Sequence, residues 1–88
     1  MRSLLWNADA WTEYESLQAE KATLKKVNKL LKELMRNGYQ CSYGKVEMLK
    51  GDFSGYASIR IDKKNRLIFC TDETTVTIIQ CGGHYGDK

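Results

Sequence analysis

The sequence predicts an α+β protein in which two N-terminal helices pack on one face of a mostly antiparallel sheet of four or five strands. Apolar residues recur with a helical period between residues 8 and 37, and they alternate with polar residues from residue 56 onward. No proline interrupts either pattern. With 88 residues, 42% of them hydrophobic and 28% charged, the chain is expected to form a single domain over residues 1–88.

The chain begins with a predicted strand and a predicted helix. The segment 3–6 is a short apolar run, and Asn7 directly after it is a good N-cap for a helix that extends from Ala8 to about Gln18. One face of this helix is apolar at intervals of three residues, so we expect that face to pack in the core. Its members are Trp11, Tyr14 and Leu17.

The second predicted helix is the most strongly amphipathic segment, and it ends at Asn37-Gly38, a pair that tolerates left-handed backbone. Its lysines either form a solvated face, which is the simpler interpretation, or contact an anionic partner. The apolar face consists of Leu24, Val27, Leu30, Leu31, Leu34 and Met35. The lysines are Lys21, Lys25, Lys26, Lys29 and Lys32.

The second half of the chain is predicted to form β-strands. After a loop through Gly44, residues 56–61 alternate, and the segments 66–71 and 75–81 follow through short polar turns, which predicts an antiparallel meander. In the first of these strands Ala57, Ile59 and Ile61 are expected to face the helices. The residues expected on the open face are Tyr56, Ser58 and Arg60.

The charge is unevenly distributed along the chain. Residues 1–20 carry one base against four acids, whereas residues 21–88 carry thirteen bases against seven acids. This asymmetry suits an anionic partner for the later part of the chain, although a solvated basic face explains it equally well.

The three cysteines predict no disulfide framework, because their number is odd and none forms a CxxC pair. Cys70 and Cys81 lie in predicted strands and are expected to be buried apolar groups. Cys81 and His84 have the spacing of half a zinc site but lack a second pair of ligands, so no metal or other cofactor is expected.

The chain also lacks a signal-peptide pattern or an apolar run long enough to span a membrane, and we expect a cytoplasmic protein with no membrane partner.

The candidate functional residues combine one carboxylate, one imidazole and several cations. Glu47 and Lys50 are expected in a loop beside the sheet, Arg60 and Arg66 on neighbouring strands, and His84, the only histidine, near the chain end. Cleavage of a phosphodiester needs a proton acceptor, a proton donor and cations for the phosphate. These residues therefore predict a ribonuclease-like site.

Several motifs in the same order resemble the YoeB/Txe branch of the RelE toxin superfamily, and the resemblance extends over essentially the whole chain. It implies the RelE-like microbial ribonuclease fold. The motifs are Gly44–Lys50, Phe53-Ser54-Gly55-Tyr56, Arg60-Ile61, Asn65–Phe69 and His84-Tyr85.

The resemblance implies a bacterial type II toxin that cleaves translated mRNA in the ribosomal A site. By the family's pattern, Glu47 is the general base that takes the proton of the ribose 2′-hydroxyl, and His84 is the general acid that protonates the leaving 5′-oxygen. Arg66 would stabilise the charged transition state. The residues that would position or orient the substrate are Lys50, Arg60 and Tyr85. No metal is required, because the 2′-hydroxyl is an internal nucleophile.

The same resemblance implies the partners, which are a YefM/Phd-type antitoxin, the 70S ribosome with its mRNA, and a second copy of the chain in a homodimer. Three other functions stay open at this point. They are a ribonuclease that needs no ribosome, a ParE-like toxin that poisons DNA gyrase by binding, and an RNA-binding or interaction domain without catalysis.

Overall fold

The computed structural model describes residues 1–82 and contains a five-stranded sheet with two α-helices on one face, which confirms the predicted fold class. The strands are β1 (Ser3–Trp6), β2 (Val46–Met48), β3 (Ala57–Arg60), β4 (Arg66–Thr71) and β5 (Thr75–Cys81). The helices are α1 (Ala8–Ser16) and α2 (Lys21–Asn37), and short 3₁₀ turns occupy Leu17–Ala19, Gly38–Gln40 and Gly51–Phe53. Strands β1, β4 and β5 have the predicted bounds.

The strand order is β1-β5-β4-β3-β2. Strands β3, β4 and β5 form the predicted antiparallel meander, and β2 extends it at one edge. Strand β1 pairs with β5 in parallel at the other edge, so that Ser3 lies opposite Thr75 and Trp6 opposite Ile78. The two helices therefore connect one edge of the sheet to the other.

A β-bulge lies near the end of β5. Ile68 of β4 pairs with Gln80, whereas the next residue, Phe69, pairs with Ile78, so Ile79 is the extra residue in β5. The bulge keeps Ile78 and Cys81 on the face that packs in the core, while Gln80 lies on the opposite face. It thus sets the direction in which β5 ends.

The core lies between the helices and one face of the sheet. Ala57, Ile59 and Ile61 are fully buried there, as predicted. Helix α2 is anchored by four buried residues on its apolar face, and it ends at Gly38, whose φ of 58° lies in the left-handed region. The four residues are Val27, Leu30, Leu31 and Leu34.

Two predictions of burial are wrong. Trp11 is 46% exposed, and its ring packs against Trp6 and Tyr14 at the edge of the core, with ring centroids 5.5 Å and 5.7 Å apart. Trp6 ends the edge strand β1, and within residues 1–82 no further strand covers the helix residue beyond it. Cys70 is only half-buried, because its neighbours Leu67 and Phe69 take the core-facing positions of β4. Cys81 is buried as predicted, and burial raises the pKa of its thiol to about 12.

The turn between β3 and β4 is organised by Asp62. Its carboxylate accepts hydrogen bonds from the backbone N–H groups of Lys64 (2.8 Å) and Asn65 (2.9 Å), and from the Thr23 hydroxyl of α2 (3.4 Å). Desolvation alone would raise the pKa of Asp62, but the hydrogen bonds from Asn65, Lys64 and Thr23 outweigh it, so the pKa is lowered.

We expect Asp62→Ala to lower the free energy of unfolding at pH 7 by about 1 kcal/mol, because charge-assisted hydrogen bonds of a half-buried carboxylate are lost. A lowered folded-state pKa stabilises the fold above the unfolded-state pKa of about 3.9, and this stabilisation disappears as the pH falls through the folded-state value. The difference between wild type and variant in urea unfolding should therefore shrink in acid. Asp52→Ala, at an exposed turn, is the control. An equal difference at pH 7 and in acid would contradict this account.

Candidate active site on the outer face of the sheet

The outer face is the face of the sheet opposite the helices, and it carries the side chains of Ser58, Ile68 and Gln80. The strand register places Glu47 of β2 directly beside Ser58 of β3. Arg66 of β4 lies beside Arg60 of β3 on the same face. The prediction that Glu47 lies in a loop is wrong, because residues 46–48 form an edge strand that pairs with β3.

The Arg66 guanidinium lies across β3 and joins β4 to β2. Its Nη1 atom is 3.3 Å from Glu47 Oε1, and it donates a hydrogen bond of 3.0 Å to Ser58 Oγ. The Glu47 side chain is 51% exposed and the Arg66 side chain 25%. The carboxylate is therefore accessible to a ligand from solvent, while the guanidinium is held in place by its hydrogen bond to Ser58.

Ser58 is on the predicted face of β3, but the prediction that this face is open is wrong at Ser58. Its exposure is 0%, and the neighbouring Ile68 and Gln80 are also buried. Sequence analysis missed Ser58 as a partner of Arg66, although its alternating position between Tyr56 and Arg60 was the available signal. A buried hydroxyl that accepts from a guanidinium fixes the orientation of that cation.

An open cavity of about 300 Å³ lies over this cluster. Three of the predicted site residues, Glu47, Lys50 and Arg66, line it together. The other lining residues are Met48, Leu49 and Ser58. The cavity thus combines one carboxylate with two cations of different geometry, a planar guanidinium and a compact ammonium group.

The other predicted residues are less closely associated with the cavity. Arg60 does not line it, and its Nε donates instead to the backbone carbonyl of Asp62 at 3.2 Å. His84 and Tyr85 lie outside the described residues 1–82. The last described residue, Gly82, donates its N–H to the carbonyl of Arg66 at 2.9 Å, so the chain reaches the strand that carries Arg66 two residues before His84.

Within residues 1–82, no group of three or more His, Cys, Asp and Glu side chains is arranged to hold a metal ion. Over the same residues, none of the helices has the length and apolar character needed to cross a membrane. A carboxylate can accept a proton, and the guanidinium and ammonium groups can bind a phosphate.

The arrangement of two helices on one face of a five-stranded sheet is shared with solved structures of small bacterial toxins at 34–35% sequence identity. Residues 6–85 match the family described as YoeB-like toxin of bacterial type II toxin–antitoxin system. The chain belongs to this family.

Relatives and solved structures agree with this assignment. Toxin YoeB of Mycobacterium bovis is 35% identical over 86 residues, which cover 97% of this chain and all of the relative. The YoeB dimer from Staphylococcus aureus superposes with a TM-score of 0.85 at 35% identity, covering 96% of this chain and 98% of that one. The heterotetrameric YoeB–YefM toxin–antitoxin complex from the same organism has the same TM-score and identity, covering 97% and 99%.

Proposed function

We propose that this toxin is a metal-independent endoribonuclease that cleaves translated mRNA in the A site of the ribosome and so stops translation. The observation that carries the proposal is the pairing of Glu47 with Arg66 in a cavity that Lys50 also lines. Membership of the YoeB-like family supports it. Each of these side chains has a part in transesterification of RNA.

In the proposed reaction Glu47 takes the proton of the ribose 2′-hydroxyl, and the resulting oxygen attacks the adjacent phosphorus. The bond from phosphorus to the 5′-oxygen breaks, and His84 gives that oxygen a proton. The products are a 2′,3′-cyclic phosphate and a 5′-hydroxyl end. No step needs a second nucleophile, because the 2′-hydroxyl belongs to the substrate and is already close to the phosphorus.

Arg66 stabilises the negative charge that develops on the phosphate oxygens. Its bond to the buried Ser58 hydroxyl keeps the guanidinium oriented before substrate arrives, and such preorganisation is what makes electrostatic stabilisation effective. In the free protein the guanidinium also contacts Glu47. An incoming phosphate competes for that contact, which releases the carboxylate for its role as base.

The remaining residues position the substrate. Lys50 lines the cavity and is proposed to bind a phosphate next to the scissile one. Arg60 lies beside Arg66 and is proposed to bind a phosphate farther along the RNA chain. Tyr85 is proposed to orient the substrate or to stack on a base.

We also propose the partners of the toxin. The Staphylococcus aureus relatives were solved as a YoeB dimer and as a YoeB–YefM complex, and this chain is proposed to form a homodimer and to bind an antitoxin of the YefM/Phd type. An acidic antitoxin segment that folds on contact would neutralise the cations around the cavity. The site of action is the cytoplasm, where the 70S ribosome and mRNA are found.

The experiment that tests the proposal compares one mRNA in two states, naked and bound to translating ribosomes. We expect cuts within the reading frame only when ribosomes are present, with 2′,3′-cyclic phosphate ends. Equal cutting of naked RNA would favour a ribosome-independent nuclease. Growth arrest with intact transcripts, for the wild type and for His84→Ala alike, would overturn the nuclease and favour a gyrase poison or a simple binding protein.

A further inference from the structure

Hydrogen bonds from both the sheet and helix α1 hold the end of β5. Within the sheet, the Gly82 N–H donates to the Arg66 carbonyl (2.9 Å) and Gln80 Nε2 donates to the Gly82 carbonyl (2.8 Å). From helix α1, Glu13 Oε1 accepts the N–H of Cys81 at 2.9 Å. A helix side chain is thus bonded directly to the sheet backbone at the point where the chain leaves it.

The Cys81 N–H needs such an acceptor because, in the part of the chain that the structure describes, no strand lies beside it. Successive N–H groups of a strand point to alternate sides, and that of Gly82 points to β4. The Cys81 N–H therefore points to the side of β1, but β1 ends at Trp6, opposite Ile78. The Glu13 carboxylate supplies the acceptor that a neighbouring strand would otherwise provide. Because this acceptor is charged, the hydrogen bond is stronger than one to a backbone carbonyl.

We propose that Glu13 is a positioning residue for the active site, which fixes the backbone at Cys81 and so sets the direction in which the chain runs toward His84. The inference rests on the proposed function, in which His84 is the general acid. Only Gly82 and Gly83 separate Cys81 from His84. Gly82 has a φ of 125°, which only glycine adopts readily.

The first part of the test is kinetic. Glu13→Ala should lower kcat on ribosome-bound mRNA by roughly 10- to 100-fold, because small misplacements of a catalytic group cost about this much, while KM should change little. Glu13→Met, which keeps the side-chain volume without an acceptor, should do the same if the alanine variant folds poorly. Glu13→Gln keeps an acceptor oxygen and should retain most of the activity. Glu15→Ala, at an exposed position of the same helix, is the matched control and should behave as wild type.

The second part does not depend on cleavage. The chain has one histidine, so its ring resonances in an NMR spectrum are unambiguous. We expect the His84 ring signals to shift and the Cys81 amide to exchange faster in Glu13→Ala and Glu13→Met, but not in Glu13→Gln or Glu15→Ala.

Wild-type kcat and unchanged His84 signals in both acceptor-free variants would overturn the positioning role. So would a Glu13→Gln variant as impaired as Glu13→Ala, because charge rather than the hydrogen bond would then matter. If the wild type cleaves no mRNA but the His84 signals still move only in the acceptor-free variants, the proposed nuclease fails and the positioning role stands.

Discussion

Replacing Glu47 with alanine should lower the rate of mRNA cleavage by about 10²- to 10⁴-fold, the usual contribution of a general base. The loss should appear in kcat and not in KM. Glu47 competes with phosphate for the Arg66 guanidinium, to which it lies within 3.3 Å in the free protein. Its removal therefore leaves the cation more available, so the substrate should bind as well as before or more tightly. Single-turnover cleavage on programmed ribosomes, at several toxin concentrations, separates the two quantities.

Two comparisons make this result specific. Glu73→Ala removes an exposed acid in the turn between β4 and β5 and should leave cleavage unchanged. Arg66→Ala should also slow the chemical step, by about 10²- to 10³-fold, but it should weaken substrate binding as well. A partly exposed ion pair contributes only about 0–1 kcal/mol to stability, so the loss in Glu47→Ala should not reflect unfolding. If Glu47→Ala cleaves within about fivefold of wild type, Glu47 is not the base.

The largest effect on stability is expected at Phe69, which is fully buried at the centre of the sheet between Ala57 of β3 and Ile78 of β5. Its ring also stacks on Tyr39, with centroids 5.8 Å apart. Phe69→Ala should cost about 3–5 kcal/mol through lost burial and the cavity left behind. For a domain of this size the melting temperature falls by about 4–8 °C per kcal/mol, so thermal unfolding should reveal a loss of roughly 12–40 °C.

Less disruptive substitutions allow thermal unfolding to be measured even if Phe69→Ala no longer folds. Phe69→Leu retains much of the apolar volume and should cost about 1–2 kcal/mol. Tyr39→Phe keeps the stacked ring and removes only the hydroxyl that accepts the Thr71 N–H at 3.1 Å, so it should cost about 1 kcal/mol. A Phe69→Ala variant that melts within a few degrees of wild type would show that the centre of the sheet does not depend on this ring.

The sequence predicted the long, regular elements well. Strands β4 and β5 have the predicted bounds because each has at least six residues between polar turns. Strand β2 was missed because three residues are too few to show alternation, and Glu47 was therefore assigned to a loop. The parallel pairing of β1 with β5 was also not predicted, since local patterns carry no information about contacts between the two ends of a chain.

The candidate site was predicted in part for similar reasons. Glu47, Lys50 and Arg66 line one cavity, which agrees with their assignment to one site. Ser58 is buried and accepts a hydrogen bond from the Arg66 side chain that crosses β3, a contact that no local pattern contains. Arg60 lies on the expected face, but the conformation of the following turn offers it the carbonyl of Asp62. The positions of Glu47 and His84 as an acid–base couple stay a prediction, because His84 lies outside the described residues.

The parallel pairing of β1 with β5 has a consequence for how the protein is made. Among residues 1–82, β1 pairs with β5 alone, so the sheet cannot close until β5 has been synthesised. Closing so long a loop is also entropically costly, which delays completion of the sheet further. The end of β5 in turn carries the contacts of Gly82 with Arg66 and of Cys81 with Glu13. We therefore expect the sheet, and with it the backbone that carries Arg66 and Cys81, to be completed only after β5 has been synthesised.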